Sequence, residues 1–325
     1  MQKNFQNVRF QPGTRSISFR TGLTVYEESF TDSALIPRGW STAGYPNDLL
    51  EKCQTRLDPN RFIEPQAFRL EIDGRACDRG LEFVSFDQVE SDKKTHAVAT
   101  LLEPERGIRI KVHTIIDGSP VFTRFLEIVN ESDRAAAVSS LSVISGGIEE
   151  MDLSQGHSGL GKSELSDVSD FYELGYFDAD GWGKEGDFSW HKLTPDLHSF
   201  CGRYQRDRYR HPVFFLRNKL KGTTMVGQLG WSGGYRFSFD YMAHKELDNT
   251  ALAFDLAVDS FKPLIVLEPG ETFISPEACV GLVSGGLDEA VNAMHEHVRR
   301  SVIPGGNKCL IGFGMGAEHD MNADT

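Results

Sequence analysis

The sequence predicts an all-β protein, a large antiparallel sandwich closed by one C-terminal helix, and three observations carry that prediction. Apolar residues alternate with period two from Phe68 onward, tight-turn signals separate the alternating runs, and one stretch near the C-terminus changes to helical spacing. The alternating runs include Phe68, Leu70 and Ile72, then Ile108, Ile110 and Val112, then Tyr235, Phe237, Phe239 and Tyr241, then Leu252, Phe254, Leu256 and Val258. Successive side chains of a strand point to opposite faces, so each run presents one apolar face to a core. Between the runs stand IDGR at Ile72, IDGSP at Ile116, VNESD at Val129 and LEPGE at Leu267. Asp-Gly supplies the positive φ of a tight hairpin turn and Pro-Gly suits a type II turn, so antiparallel hairpins are expected. Strands in antiparallel order, with no alternation of strand and helix, call for two sheets packed face to face.

Two segments depart from this pattern. Residues Ser154 to Thr194 are rich in Gly, Ser and Asp and carry Trp182 and Trp190, which predicts a long excursion from the sheets. From Leu287 to Arg300 the apolar residues Leu287, Ala290, Val291, Met294 and Val298 form one helical stripe, with Ser284 or Gly286 ahead of it as the helix start. The chain divides accordingly into a sandwich domain over 1–286, an amphipathic linker helix over 287–303 and a glycine-rich tail over 304–325 that is too short for a domain.

Composition narrows the function classes. The 325 residues carry 47 acidic against 34 basic side chains, a formal charge of −13, whereas a nucleic-acid surface needs clustered Lys and Arg; no nucleic-acid partner is expected. The N-terminus has no apolar signal core and no run of 18 apolar residues occurs, so neither secretion nor a membrane is expected and the cytoplasm is the default location. The five cysteines are an odd number, widely spaced and without a CxxC pair, which reads as reduced thiols rather than zinc ligands or a redox couple.

Several motifs imitate chemistry without its context. GHSGLGKS, Gly156 to Ser163, has the spelling of a phosphate-binding loop but follows EEMDLSQ rather than a buried parallel strand, so a flexible loop is expected. LIGFGMGA near the C-terminus lacks the helix and second strand of a dinucleotide fold. In HEH, His295 to His297, the histidines are two apart on a helix and cannot share a metal; a solvated face is expected. The arginine-rich run from Arg203 to Phe215 reads as paired surface charge, with a subunit interface or a ligand-facing rim as the alternative. Trp182 and Trp190, in WGKEGDFSWHK, are candidate stacking faces for sugar rings, with a lid over the sandwich as the equal alternative. No GxSxG elbow and no metal-spacing cluster occurs, so no catalytic residue, metal or cofactor is assigned.

An ordered series of segments resembles the N-terminal domain of glycoside hydrolase family 36, the bacterial α-galactosidase or melibiase family. The series comprises FIEPQAFRLEIDGRACDRGLEFVSF (62–86), VFTRFLEIVNES (121–132), GWGKEGDF, RYRHPVFFL, VGQLGWSGGYRFSF (226–239) and LEPGETFISPEACVGL before the helix ending HEHVRR. It runs from about Tyr45 to Arg300, most of the chain. The resemblance implies a β-supersandwich of the galactose-mutarotase-like type, a linking helix, and then a (β/α)₈ barrel whose two carboxylates hydrolyse α-galactosides with retention. The sequence departs from the family in having no KWD segment, no second catalytic Asp and no eightfold strand–helix series, so the barrel is expected to be missing from this chain.

Three functions follow as expectations. The first is a non-catalytic supersandwich module of an α-galactosidase-like hydrolase, partnered by a separate barrel or by copies of itself. The others are an autonomous mutarotase-like enzyme or sugar-binding protein, which would need a Glu and a His within reach in a pocket, and an assembly module without ligand. By the resemblance, the segment YPNDLLEKCQTRLDPNRFIEP takes the place of a family loop that reaches a neighbour's active site. Asp48, Arg61 and Glu64 are the candidate hydroxyl contacts there, beside Trp182 and Trp190. Some of Met294, Val298 and Val302 are expected to be partly exposed on the helix, as befits a connector.

Overall fold

The structure, a computed structural model, describes residues 6–44, 66–91, 93–152, 170–178, 186–203, 210–244 and 249–303. Three antiparallel sheets hold most of them. The first holds β1 (Gln6–Gln11), β2 (Ser16–Thr21), β3 (Thr24–Thr31) and β4 (Ala34–Ser41) in sequence order. The second, ten-stranded, contains β7 (Glu82–Glu90), β8 (Thr95–Glu103), β9 (Ile108–Ile116), β10 (Val121–Asn130), β12 (Tyr172–Phe177), β13 (Phe188–Leu193), β15 (Val213–Asn218), β16 (Thr223–Leu229), β20 (Thr272–Ile274) and β21 (Ala278–Ser284). Its order is β13-β12-β15-β16-β21-β10-β9-β8-β7, with β20 also on β10. The third, seven-stranded, runs β14 (Asp196–Gly202), β17 (Tyr235–His244), β18 (Asn249–Val258), β11 (Ala136–Asp152), β5 (Arg69–Ile72), β6 (Arg75–Ala76), with β19 (Ile265–Leu267) also on β11.

The two larger sheets face each other, as the alternation requires. On β10, Phe122, Leu126 and Ile128 enter the main core; Val121 and Thr123, one residue out of phase, lie on the opposite face. The turn signals do two different jobs. Asp73 and Gly74, at φ 52° and 73°, close the β5–β6 hairpin, and Gly118 at φ 83° lies between β9 and β10. VNESD and LEPGE instead carry the chain from one sheet to the other, because β10 and β11, and likewise β19 and β20, belong to different sheets. Asn130 holds these two crossings together: its side-chain amide donates to the carbonyls of Arg134 and Leu267, and its carbonyl accepts from the Gly270 amide.

The N-terminal sheet was not signalled by the period-two runs that begin at Phe68. It packs against both larger sheets, Tyr26 stacking on Phe122 of β10 at 5.4 Å and Pro37 lying against Gly146 of β11. Such a central position explains why β3 is buried along nearly its whole length, including its charges. Arg124 is fully buried on β10 and its guanidinium makes a two-pronged pair with Glu28 of β3, at 2.8 and 3.0 Å. Thr114 and the ring faces of Tyr26, Phe19 and Phe122 complete its surroundings. A charge removed from water needs this degree of pairing, since an unpaired one costs several kcal/mol.

Within the excursion expected over Ser154 to Thr194, the described residues include β12 and β13, which pair antiparallel and extend the ten-stranded sheet. Trp190 therefore sits on a strand. Helix α1 (Leu287–His297) begins at Gly286, whose amide donates to the Glu289 carboxylate, and continues into a wider π-type turn over Val298–Val302. Ala290 and Ala293 let the helix lie close on the outer face of the ten-stranded sheet, against Val121, Phe215, Val226 and Val283. Among the described residues no helix is long and apolar enough to cross a membrane.

Candidate functional site

The end of the sandwich where β12 and β13 of one sheet approach β14 of the other opens as a cleft of about 290 Å³. Alternation decides what enters it. On β13, Ser189, His191 and Leu193 share the inner face, while Phe188 and Trp190 pack with the apolar cluster on the outer face. Tyr176 of β12 and Phe200 of β14 complete the walls, and Tyr176 is sandwiched between His191 at 4.5 Å and Phe200 at 4.3 Å. Gly175 is required beneath the outer rings, because a Cβ there would meet Phe188 at 2.5 Å.

At the rim of this cleft Asp178, Ser189 and His191 meet. Ser189 donates to the Asp178 carboxylate, and His191 Nε2 lies 2.8 Å from Ser189 Oγ and 3.2 Å from Asp178 Oδ1. Both partners address the same imidazole nitrogen, so this is not a relay in which the acid orients one nitrogen while the other activates the hydroxyl. Arg210 Nε donates to the Asp178 carbonyl at 2.7 Å and its guanidinium stands 5.7 Å from the Tyr176 ring. Burial, reinforced by the Asp178 charge, raises the Tyr176 phenol above its usual range. The cluster can hold a polar ligand through one carboxylate, one imidazole and one hydroxyl. Of the arginine-rich run, Arg210 thus packs on β12, while Arg203 pairs with Asp259.

A second polar cluster ties the helix down. His297 is 2% exposed; its Nδ1 is 2.8 Å from Asp117 Oδ2 and its Nε2 is 3.2 Å from Thr123 Oγ1. Ser119, Ser301 and the backbone of the β9–β10 turn surround the same carboxylate. Burial pushes the His297 imidazole down, but the hydrogen bond to Asp117 and the neighbouring Cys279 more than offset this and hold it up to about 9. Burial pushes the Asp117 carboxyl up, and the bonds from His297, Ser119 and Ser301 overcome it, leaving the carboxyl below its usual range. The solvated face expected for HEH is therefore corrected. His295 is exposed but His297 is buried, since it continues the Ala290, Ala293 stripe at helical spacing.

A third pairing lies on the open outer face of β8, β9 and β10. His96 Nε2 is 2.9 Å from His113 Nδ1, and His113 Nε2 is 3.3 Å from Glu127, which also binds Lys111 at 2.7 Å. Burial lowers both imidazoles, aided for His113 by the His96 charge and opposed by Glu127. This is a Glu and a His within reach of each other, but on a sheet face rather than in a pocket.

Of the residues singled out from the sequence, Asp48, Arg61, Glu64 and Trp182 lie outside the described residues, as do GHSGLGKS and LIGFGMGA. Trp190 is described: the Arg217 guanidinium lies 4.4 Å from its ring, on the sheet face opposite to His191. The cleft residues Tyr176, Asp178 and His198 were missed, although the YELGYFD run carries a period-two signal. Among the described residues no group of three or more His, Cys, Asp or Glu side chains is placed to hold a metal.

No protein-family model and no curated protein matches the chain. Solved structures share its fold. The galactosidase domain of the α-galactosidase–sucrose kinase AgaSK superimposes with a TM-score of 0.67 at 13% identity, over 90% of this chain and 44% of that one. The family 36 α-galactosidase AgaB of Geobacillus stearothermophilus gives 0.67 at 15% identity, over 90% and 43%. The α-galactosidase of Lactobacillus brevis gives 0.66 at 13%, over 90% and 42%. At these identities the likeness shows the fold, an all-β sandwich with one helix, and it falls on the family that the ordered sequence segments resemble. The chain spans less than half the length of each of these three structures.

Proposed function

We propose that this chain serves as the N-terminal supersandwich module of an α-galactosidase-like retaining glycoside hydrolase, with the catalytic carboxylates supplied by a barrel outside these 325 residues. One observation carries the reading: nine-tenths of this chain superimposes on well under half of several α-galactosidases. The helix fits the role of a connector. It is latched to the sandwich through His297, yet Met294 and Val298 are half-buried and Val302 and Ile303 are 61% and 43% exposed, leaving apolar surface for a following domain or a second copy. Asp48, Arg61, Glu64, Trp182 and Trp190 remain the proposed sugar contacts, at the edge of that partner's site.

The test is hydrolysis of an aryl α-galactoside by the purified chain. None is expected. Turnover that survives rigorous purification and disappears on replacing a carboxylate of this chain would overturn the reading. The Asp178–His191 pair in the end cleft favours a second reading, an autonomous sugar-binding or sugar-epimerising site. It requires that an aldose titration perturb the His191 ring resonances, and that Asp178→Asn abolish the response.

A further inference from the structure

The end cleft holds a second imidazole that the Asp178–His191 pair leaves out. β13 ends at Leu193 and β14 begins at Asp196, so the short link Thr194–Pro195 carries the chain from one sheet into the other. His191 and His198 stand on either side of this corner, one from each sheet, and both line the cleft. Each ring is tied by one nitrogen, and the partners fix where its hydrogen lies. His198 Nε2 is 2.7 Å from the Thr194 carbonyl, which can only accept, so Nε2 carries the hydrogen. Ser189 gives its one hydroxyl hydrogen to Asp178, so its oxygen, 2.8 Å from His191 Nε2, accepts there and that Nε2 carries a hydrogen as well. In the neutral rings both Nδ1 atoms are therefore lone-pair acceptors, and neither has a hydrogen-bond partner among the described residues.

We propose that the cleft takes one neutral sugar ring and that His198, through Nδ1, is its second recognition residue, accepting one hydroxyl of a diol while His191 Nδ1 accepts the other. This rests on the reading of the cleft as a sugar site and adds the residue that selects for paired hydroxyls. Two acceptors call for two donors, which a diol supplies on adjacent carbons. A cationic ligand would find no free counter-charge, because Asp178 at the rim is already engaged by Ser189 and His191 and no described carboxylate lines the cleft. An anion would face two lone pairs. Leu174, Leu193 and Phe200 supply apolar wall for the C–H face of a sugar. A volume of about 290 Å³ stands at the lower end of small-molecule sites and suits one ring rather than a chain. His191 is 42% exposed, so a ligand can reach it from solvent.

The full chain at pH 8, titrated with methyl α-galactopyranoside and separately with methyl α-glucopyranoside, tests this by long-range proton–nitrogen correlation of the imidazole rings. With at least one of the two sugars the Nδ1 resonances of His191 and His198 are expected to move together along a single saturation curve. His198→Leu removes the acceptor and leaves a sugar hydroxyl unpaired, so it should weaken binding about tenfold. His198→Asn, whose side-chain carbonyl can stand where Nδ1 stood, should recover most of the affinity. An unchanged melting temperature in both variants reports an intact fold. Shifts at His191 with none at His198, or full affinity in folded His198→Leu, overturn the role of His198 and leave the sugar reading of the cleft standing. No shift at either imidazole with either sugar overturns both. If His198→Leu has lost the fold, the joint shift in the unmodified chain decides alone.

Discussion

Replacing His297 by Gln removes a buried cation from the joint between helix and sandwich, and the cost should depend on pH in a direction that the geometry fixes. The imidazole is held at about 9 in the folded chain, against about 6.5 for an unfolded histidine. Folding therefore tightens proton binding, and the stabilisation is fully present below pH 6.5 or so and lost as pH rises through about 9. At about 1.4 kcal/mol per pH unit the separation corresponds to roughly 3 kcal/mol. Asp117 shares the same bond: its lowered carboxyl contributes above its usual range and fails as acid protonates it, so the two figures describe one interaction and are not summed. An unfolding entropy of about 2.1 cal/mol/K per residue over 325 residues converts 3 kcal/mol to roughly 4 °C. Thermal unfolding followed by circular dichroism at constant ionic strength should show the gap between the unmodified chain and His297→Gln narrowing by about that much between pH 6 and pH 10. A gap that stays constant within about 1 °C over this range would refute a buried imidazolium, and with it the electrostatic account of the latch.

The buried pair of Glu28 and Arg124 should behave as a unit: Glu28→Gln leaves a guanidinium without its counter-charge and should cost about 3–5 kcal/mol, whereas adding Arg124→Met should cost less than the sum of the two single changes. Denaturant midpoints check this, and a single-variant cost under about 1 kcal/mol would mean that the charges are not buried together. Gly146 has a φ of +127° and a Cβ there would come within 2.2 Å of Pro37, so Gly146→Ala should lower stability by more than about 2 kcal/mol through both strain and overlap. An unchanged melting temperature would show that β4 does not press on β11 at that point.

The sandwich was legible because its information is local. Alternation at Tyr235 to Tyr241 and Leu252 to Val258 needs only the two-residue period of a strand, and the helical stripe from Leu287 needs only the 3.6-residue period of a helix. The N-terminal sheet was harder to recognise because β3 is buried on both faces, which removes the polar alternation that marks a half-exposed strand. Turn chemistry was legible as turning but not as destination. Pro269 and Gly270 prescribe a bend whether the next strand pairs with its predecessor or crosses to the other sheet, and the crossing seen here is fastened by Asn130, far away in sequence.

What the sequence by itself determined is therefore the class of fold, the acidic charge balance, the C-terminal helix and the likeness to one family of sandwich. What only the tertiary structure decided is which polar residues meet. Asp117 and His297 are 180 residues apart, and Glu28 and Arg124 are 96 apart. No periodicity encodes either pairing, because each depends on which strands become neighbours. The two charged pairs meet at the interior contacts between layers, where water is excluded and an unmatched charge is least tolerated. Trp190 and His191 make the same point at one bond's distance: adjacent in sequence, they lie on opposite faces of β13, one beneath Arg217 and the other in the cleft.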